Sequence, residues 1–168
     1  MSSDGVDAGG VTIRPACARD LRVVRELFEE YAAKLGFELD FQDFDDELAT
    51  LPGAYAPPGG ALLLAEIDGE PVGCVGLRSL GEACCELKRM YVRPGHQGSG
   101  IGRALGAAIV DEARERGYAR MRLDTIDTMT VAIALYTSLG FKEIPPYRPN
   151  PIAGASFFEL DLGPLTSP

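Results

Sequence analysis

The chain has 168 residues, 46% of them hydrophobic, enough for one substantial core and too short for a second full domain. A formal net charge of −9 argues against a nucleic-acid binder, which needs a basic surplus to neutralise phosphates. The longest strongly apolar stretch, 61–65, is far short of a membrane span, and the amino terminus lacks the basic-then-apolar order of a signal peptide, so a cytoplasmic protein without membrane contact is expected.

Residues 1–10, rich in Gly, Ser and Asp, have little to bury and read as a flexible N-terminal arm ahead of a single domain over 11–168. Residues 11–14 alternate as a first strand. A helix starts near Asp20, with Leu21, Val24, Leu27, Phe28 and Tyr31 on one face and Gly36 as terminator. Residues 41–51 suggest a second, short helix. The tract 52–60 breaks the pattern, after which 61–67 and 71–80 flank Asp68-Gly69-Glu70, a hairpin turn signal. A strand over 84–92 follows Gly81-Glu82. Ile101, Leu105, Ala108, Ile109 and Ala113 give a helix face that ends at Gly117, and 120–126 alternates again as a strand. Thr130 is expected to cap a short helix that runs to Leu139 and closes at Gly140. Residues 141–144 form a short strand, 145–155 a Pro-rich loop and 156–162 a last strand. Hairpins early and helical connections later predict an α/β or α+β domain, a mixed sheet with helices on its faces.

Cys17, Cys74, Cys84 and Cys85 show no Cys-x-x-Cys spacing, and the adjacent pair would point to opposite faces of a strand, so all four are expected to be reduced. With His96 as the single histidine, neither a zinc site nor a Ser-His-Asp arrangement assembles, and metal-free chemistry is expected.

Between Glu86 and Asp111 there is no acidic residue, whereas Lys88, Arg89, Arg93 and Arg103 bring positive charge. Such a window suits a polyanionic small ligand, although a chance gap on a solvated surface gives the same pattern. Within it, a strand ending at Val92 turns through Arg93-Pro94-Gly95-His96 into Gln97-Gly98-Ser99-Gly100-Ile101-Gly102, which opens a helix. The glycines let main-chain N–H groups approach phosphate oxygens, and the positive end of the helix dipole adds to the attraction. A dinucleotide fingerprint would need glycine at Arg103 or Leu105, and a nucleotide P-loop would need Lys and Ser or Thr after Gly100. Both patterns fail. The segment resembles motif A of the GNAT superfamily of N-acetyltransferases, Gln/Arg-x-x-Gly-x-Gly/Ala, which Gln97, Gly100 and Gly102 satisfy. Residues 86–92, Glu-Leu-Lys-Arg-Met-Tyr-Val, are similar to that family's central strand, and 132–141 to its motif B, so the resemblance covers roughly 11–162.

The resemblance implies the GNAT acyl-CoA N-acyltransferase fold: a mixed, mostly antiparallel sheet of about six to seven strands, splayed between the fourth and fifth and flanked by about four helices. It implies acetyl-CoA as donor. The main chain of Met90, Tyr91 and Val92 would hold the pantetheine arm, and Gln97 with the amides of Gly98, Ser99, Gly100, Ile101, Gly102 and Arg103 the pyrophosphate. Tyr136 shares a helix face with Met129 and Ala132 that would look onto the thioester, and with a reference pKa of about 10 it could protonate the departing sulfur. A packed tyrosine fits the same spacing. An amine acceptor is almost wholly charged at neutral pH, so some group must take its proton. Glu86 is the candidate, because histone-acetylating members keep a carboxylate at about this place. On period-two geometry Glu86, Lys88, Met90 and Val92 share one face, so Lys88 would equally neutralise Glu86 in a structural pair. Met129 stands where many members carry Asn, as in a branch of the superfamily that defines no substrate.

Glu38, Asp40, Asp43, Asp45, Asp46 and Glu47, interleaved with Phe37, Phe41 and Phe44, lie where the family borders its acceptor entrance. The run would draw in a cation with some apolar bulk, or it is a solvated face. The loop from 145 lies where members close the acceptor pocket, with Tyr147, Arg148 and Asn150 as its polar groups; an Arg there suits an acceptor that also carries a carboxylate. The expected activity is direct transfer of acetyl from acetyl-CoA to a primary amine in a ternary complex. An acyl-CoA-binding sensor module, transfer to a hydroxyl, the identity of the acceptor and assembly as a homodimer stay open.

Overall fold

The computed structural model describes residues 10–35 and 43–163. Residues 1–9 of the expected arm over 1–10, the terminator Gly36, and Phe37, Glu38, Asp40 and Phe41 of the acidic run lie outside the described residues. Strand β1 (Val11–Pro15) buries Val11 and Ile13. Helix α1 (Leu21–Leu35) buries the stripe Val24, Leu27 and Phe28, and α2 (Phe44–Ala49) is shorter than the sequence pattern predicts. Strands β2 (Ala61–Ile67) and β3 (Glu70–Gly81) are joined through Asp68 and Gly69, whose φ angles of 53° and 81° are those a two-residue mirror-image turn demands. Strand β4 (Cys84–Val92) follows through Glu82 and Ala83, also at positive φ, so this turn sits one residue later than expected. The order continues with α3 (Ile101–Glu115), β5 (Arg120–Ile126), α4 (Thr130–Ser138), β6 (Lys142–Ile144) and β7 (Ala155–Asp161). Thr130 does not cap α4; Met129 occupies that position and makes no capping bond with its side chain.

The seven strands form one sheet in the order β1-β2-β3-β4-β5-β7-β6, antiparallel throughout except for β4 beside β5. That parallel pair holds only for Cys84 with Arg120, Cys85 with Met121 and Glu86 with Arg122, after which the strands part. The expected mixed sheet, splayed between its fourth and fifth strands, is the one that forms. Helix α3 covers one face, where Leu105, Ile109 and Ala113 pack with Val75, Leu77, Cys85 and Leu87. Helix α1 covers the other, packing with Tyr55, Leu64, Cys74 and Tyr91. Each such large apolar side chain contributes about 1.5–3 kcal/mol by leaving water.

A bulge interrupts β4. The register passes from Tyr91 opposite Cys74 to Lys88 opposite Gly76, and Arg89 takes up the extra residue at φ 59°. Alternation is inverted there: Leu87 lies in the α3-side core before the bulge, whereas beyond it Met90 and Val92 pack on that side and Tyr91 lies under α1. Glu86 and Lys88 therefore do not share a face with Met90 and Val92, contrary to the period-two expectation. Cys74, Cys84 and Cys85 are buried and Cys17 is exposed, all as free thiols. Among the described residues no helix is long and apolar enough to cross a membrane.

Candidate active site

The opening between β4 and β5 begins after Glu86 and Arg122. The Arg93 amide donates to the Val72 carbonyl at 2.8 Å, and an antiparallel ladder alternates, so Tyr91 opposite Cys74 also turns its main chain to β3. Met90 and Val92 turn theirs into the opening. Tyr91 thus departs from the expected set: its side chain packs under α1 and its hydroxyl donates to Glu30 at 3.2 Å. The Val92 carbonyl accepts from Gln97 Nε2 at 2.8 Å, so Gln97 braces the start of the glycine loop.

In that loop Gly98 and Gly100 have φ angles of 82° and 88°, a backbone that other L residues adopt only under strain, and Gly100 is the N-cap of α3. The Ala104 amide donates to the Gly100 carbonyl, whereas among the described residues the amides of Gly98, Ser99, Ile101, Gly102 and Arg103 donate to no main-chain carbonyl outside the helix's own ladder. Unpaired N–H groups at the positive end of a helix form an anion cradle. Ser99 Oγ donates to the His96 carbonyl at 2.5 Å, and Arg103, exposed beside the cradle, donates to Ser138 Oγ at 2.6 Å. A polyanion followed by an extended polar arm fits this loop and the main-chain groups of Met90 and Val92. The basic window around the loop is not one displayed patch. Arg93 is held by Glu30 at 2.9 Å, Arg89 by Glu47 at 2.7 Å, and Lys88 is 4% exposed inside the sheet.

A groove past Val92, Gln97, Ile126 and Val131 meets, at Met90 and Met129, a cavity of about 80 Å³ that Lys88, Asp124, Ala132, Tyr136 and Asn150 also line. Met129, Ala132 and Tyr136 share a wall, as their helical spacing predicts. Tyr136 packs edge-on against Phe141 with ring centres 5.8 Å apart, and burial pushes its hydroxyl pKa above the usual 10.0. Met129 Sδ accepts from Thr125 Oγ1 at 3.7 Å, in place of the polar contact an Asn would make. Burial, with Arg89 adding to it, pushes Lys88 down to about 7.

Glu86 is fully buried and does not line this cavity. Its Oε1 accepts from Arg78 Nε at 2.8 Å, and its Oε2 accepts from the Tyr147 hydroxyl at 2.6 Å and pairs with Arg148. The ion-pair alternative for Glu86 is met, with Arg78 and Arg148 rather than Lys88. These bonds staple the loop after β6 onto the polar end of the sheet, where Tyr147 also packs edge-on against Phe157. The carboxylate on the cavity wall is Asp124, which sequence reasoning missed. Its side chain is 7% exposed, accepts from Asn150 Nδ2 at 3.1 Å and lies 3.7 Å from Arg148 Nε. Its position on β5, two residues past the last parallel pair, is the signal that could have found it. Asp43, the N-cap of α2, and Asp45 and Asp46 on it are exposed, but Glu47 is committed to Arg89 and to the Tyr55 hydroxyl at 2.8 Å.

The model of the acetyltransferase (GNAT) family matches residues 21–141. The chain is similar to an uncharacterized N-acetyltransferase of Schizosaccharomyces pombe, 40% identical over 86% of this chain and 90% of that one. It is also similar to the uncharacterized N-acetyltransferase YjgM of Escherichia coli, 36% identical over 77% of each chain. Among solved structures, yncA of Salmonella typhimurium, determined with its cofactor acetyl-CoA, matches with a TM-score of 0.71 at 26% identity, covering 95% of this chain and 98% of that one.

Proposed function

This chain belongs to the acetyltransferase (GNAT) family and is an acetyl-CoA-dependent acetyltransferase, and on that premise we propose that it acetylates a primary amine by direct attack in a ternary complex. The observation that carries the reading is the cavity at the parting of β4 and β5, whose wall includes both Tyr136 and Asp124 and which adjoins the donor groove at Met90 and Met129. The Gly98, Ser99, Ile101, Gly102 and Arg103 amides hold the pyrophosphate, and Met90 and Val92 hold the arm. Acetyl-CoA, when bound, supplies a thioester carbonyl open to a nucleophile and a sulfur leaving group.

Asp124 draws in the ammonium form of the acceptor and takes its proton, directly or through water, because only the neutral amine attacks a carbonyl. Tyr136 holds a proton at its Oη for the leaving sulfur, and burial keeps that proton in place through neutral pH. Glu86 we assign to holding the loop, since Arg78, Tyr147 and Arg148 already occupy its oxygens. The test is Tyr136→Phe. Turnover is expected to fall by about 10²-fold or more, the scale of a lost general acid, while the calorimetric affinity for acetyl-CoA stays within about twofold. Undiminished turnover would remove Tyr136 from the chemistry.

A further inference from the structure

Asp124 meets the loop after β6 through one oxygen. Asn150 Nδ2 donates to its Oδ2 at 3.1 Å, and Arg148 Nε approaches the same atom at 3.7 Å. The sense of the Asn150 amide is fixed from its other end. Its Oδ1 accepts from the Ile152 amide at 2.9 Å, and a main-chain N–H can only donate, so the carboxamide nitrogen faces Asp124. This turn is itself tied to the sheet. The Ala155 amide donates to the Ile152 carbonyl at 3.2 Å, the Asp127 amide donates to the Gly154 carbonyl at 2.9 Å, and Ala155 pairs with Ile126 as β7 begins beside β5. Asp124 stands on β5 opposite Phe157 of β7, so both ends of the Asn150–Asp124 bond rest on one pair of strands. Asn150, Ile152 and Asp124 all line the cavity.

We propose that Asn150 is a positioning residue for proton removal: its amide locks the Asp124 carboxylate through Oδ2 and turns Oδ1 to the acceptor nitrogen. The inference rests on the reading of Asp124 as the base and adds the group that aims it. The terminal torsion of an Asp side chain is soft, and a proton is taken only across a well-directed hydrogen bond, so a fixed rotation raises the fraction of bound acceptor in a reactive pose. A neutral amide supplies this hold without adding a charge. Arg148 cannot replace it, since its Nε at 3.7 Å is beyond hydrogen-bond distance and its terminal nitrogen is paired with Glu86. A support whose own partners belong to the sheet keeps such an angle better than a side chain on an untied loop.

The test measures coenzyme A thiol release by the whole protein with tyramine, benzylamine, L-methionine and L-phenylalanine, the fastest of which then serves every variant. Asn150→Asp has the same shape and keeps an oxygen for the Ile152 amide, but as a carboxylate it has no hydrogen to give Asp124; Asn150→Ala loses both bonds. Each is expected to lower kcat by about tenfold or more, the scale of a lost hydrogen bond to a charged group, with the KM for acetyl-CoA and for the amine staying within about threefold. In an Asp124→Asn background Asn150→Ala is expected to change kcat by about twofold at most, because no carboxylate is left to aim. A wild-type kcat in either Asn150 variant overturns the proposal, in Asn150→Asp because the turn alone would then account for the residue. A full effect of Asn150→Ala in the Asp124→Asn background overturns it as well. Each of these results leaves Asp124 standing as the base so long as Asp124→Asn by itself is slow. If Asp124→Asn turns over like the wild type, or no amine releases thiol while acetyl-CoA binds, both readings fall. Where one Asn150 variant does not fold, the other decides.

Discussion

Glu86 and Asp124 are carboxylates on adjacent strands of one sheet, and their neighbours divide their roles. Glu86 has three donors and no access to the cavity, so Glu86→Gln takes from Arg78 its ion-pair partner and leaves Arg148 with Asp124 alone, at 3.7 Å. Breaking a buried pair from one side costs about 3–5 kcal/mol, and a clearly lowered melting temperature is expected. Turnover should persist in the folded fraction of this variant and fall by about 10²-fold in Asp124→Asn, the scale of a lost general base. A comparable fall in Glu86→Gln at intact stability would return Glu86 to the chemistry. Residues such as Tyr136 were legible beforehand because their argument is local: helical spacing alone puts Met129, Ala132 and Tyr136 on one wall. The partners of Glu86 were not legible, because Tyr147 and Arg148 reach it from a distant loop and nothing in local spacing announces such a contact.

At the scale of elements, the glycine loop with α3 and the bulged strand β4 behave in opposite ways. A glycine reports its own backbone, so the cradle could be read directly from Gly98 and Gly100. A pair of alanine substitutions separates backbone from space. Gly100→Ala must sit at φ 88° and is expected to raise the KM for acetyl-CoA about tenfold, from strain of order 1–2 kcal/mol. Gly102→Ala places its methyl at ordinary contact, 3.6 Å from Leu135 and 3.9 Å from Val92, and should change that KM by about twofold at most. Equal effects in steady-state kinetics would show that the φ angle at Gly100 is not what shapes the cradle. The bulge gives no such cue, because Arg89 reaches φ 59° without being Gly or Asn. It is held by contacts distant in sequence: Glu47 on α2 clamps its guanidinium, Phe44 lies under that group at 5.0 Å, and Cys74 Sγ donates to its carbonyl at 3.4 Å. Strand existence followed from composition, whereas strand parity depended on partners.

For the molecule as a whole, buried ionisable groups set an alkaline stability optimum. Lys88 has its folded pKa lowered from 10.5 to about 7, so between those values the folded state binds fewer protons than the unfolded chain and stability rises with pH. The thiols of Cys74 and Cys85 are raised above the usual 9.0 by burial, so past that value the folded state binds more protons and stability falls. Tyr55, Tyr136 and Tyr147, raised above 10.0, act in the same sense. The melting temperature is therefore expected to climb from pH 7 to a maximum near 9, and Lys88→Met should flatten the climb. A thermal scan series that peaks at or below neutrality would contradict this. The bulge at Arg89 has a further consequence at this scale. In the proposed assignment it separates the stretch 84–88, on the acceptor side of the opening, from the stretch 90–92, whose main chain would hold the donor arm. A lineage carrying such a strand can drift in what it acetylates while inheriting unchanged the means by which it acetylates.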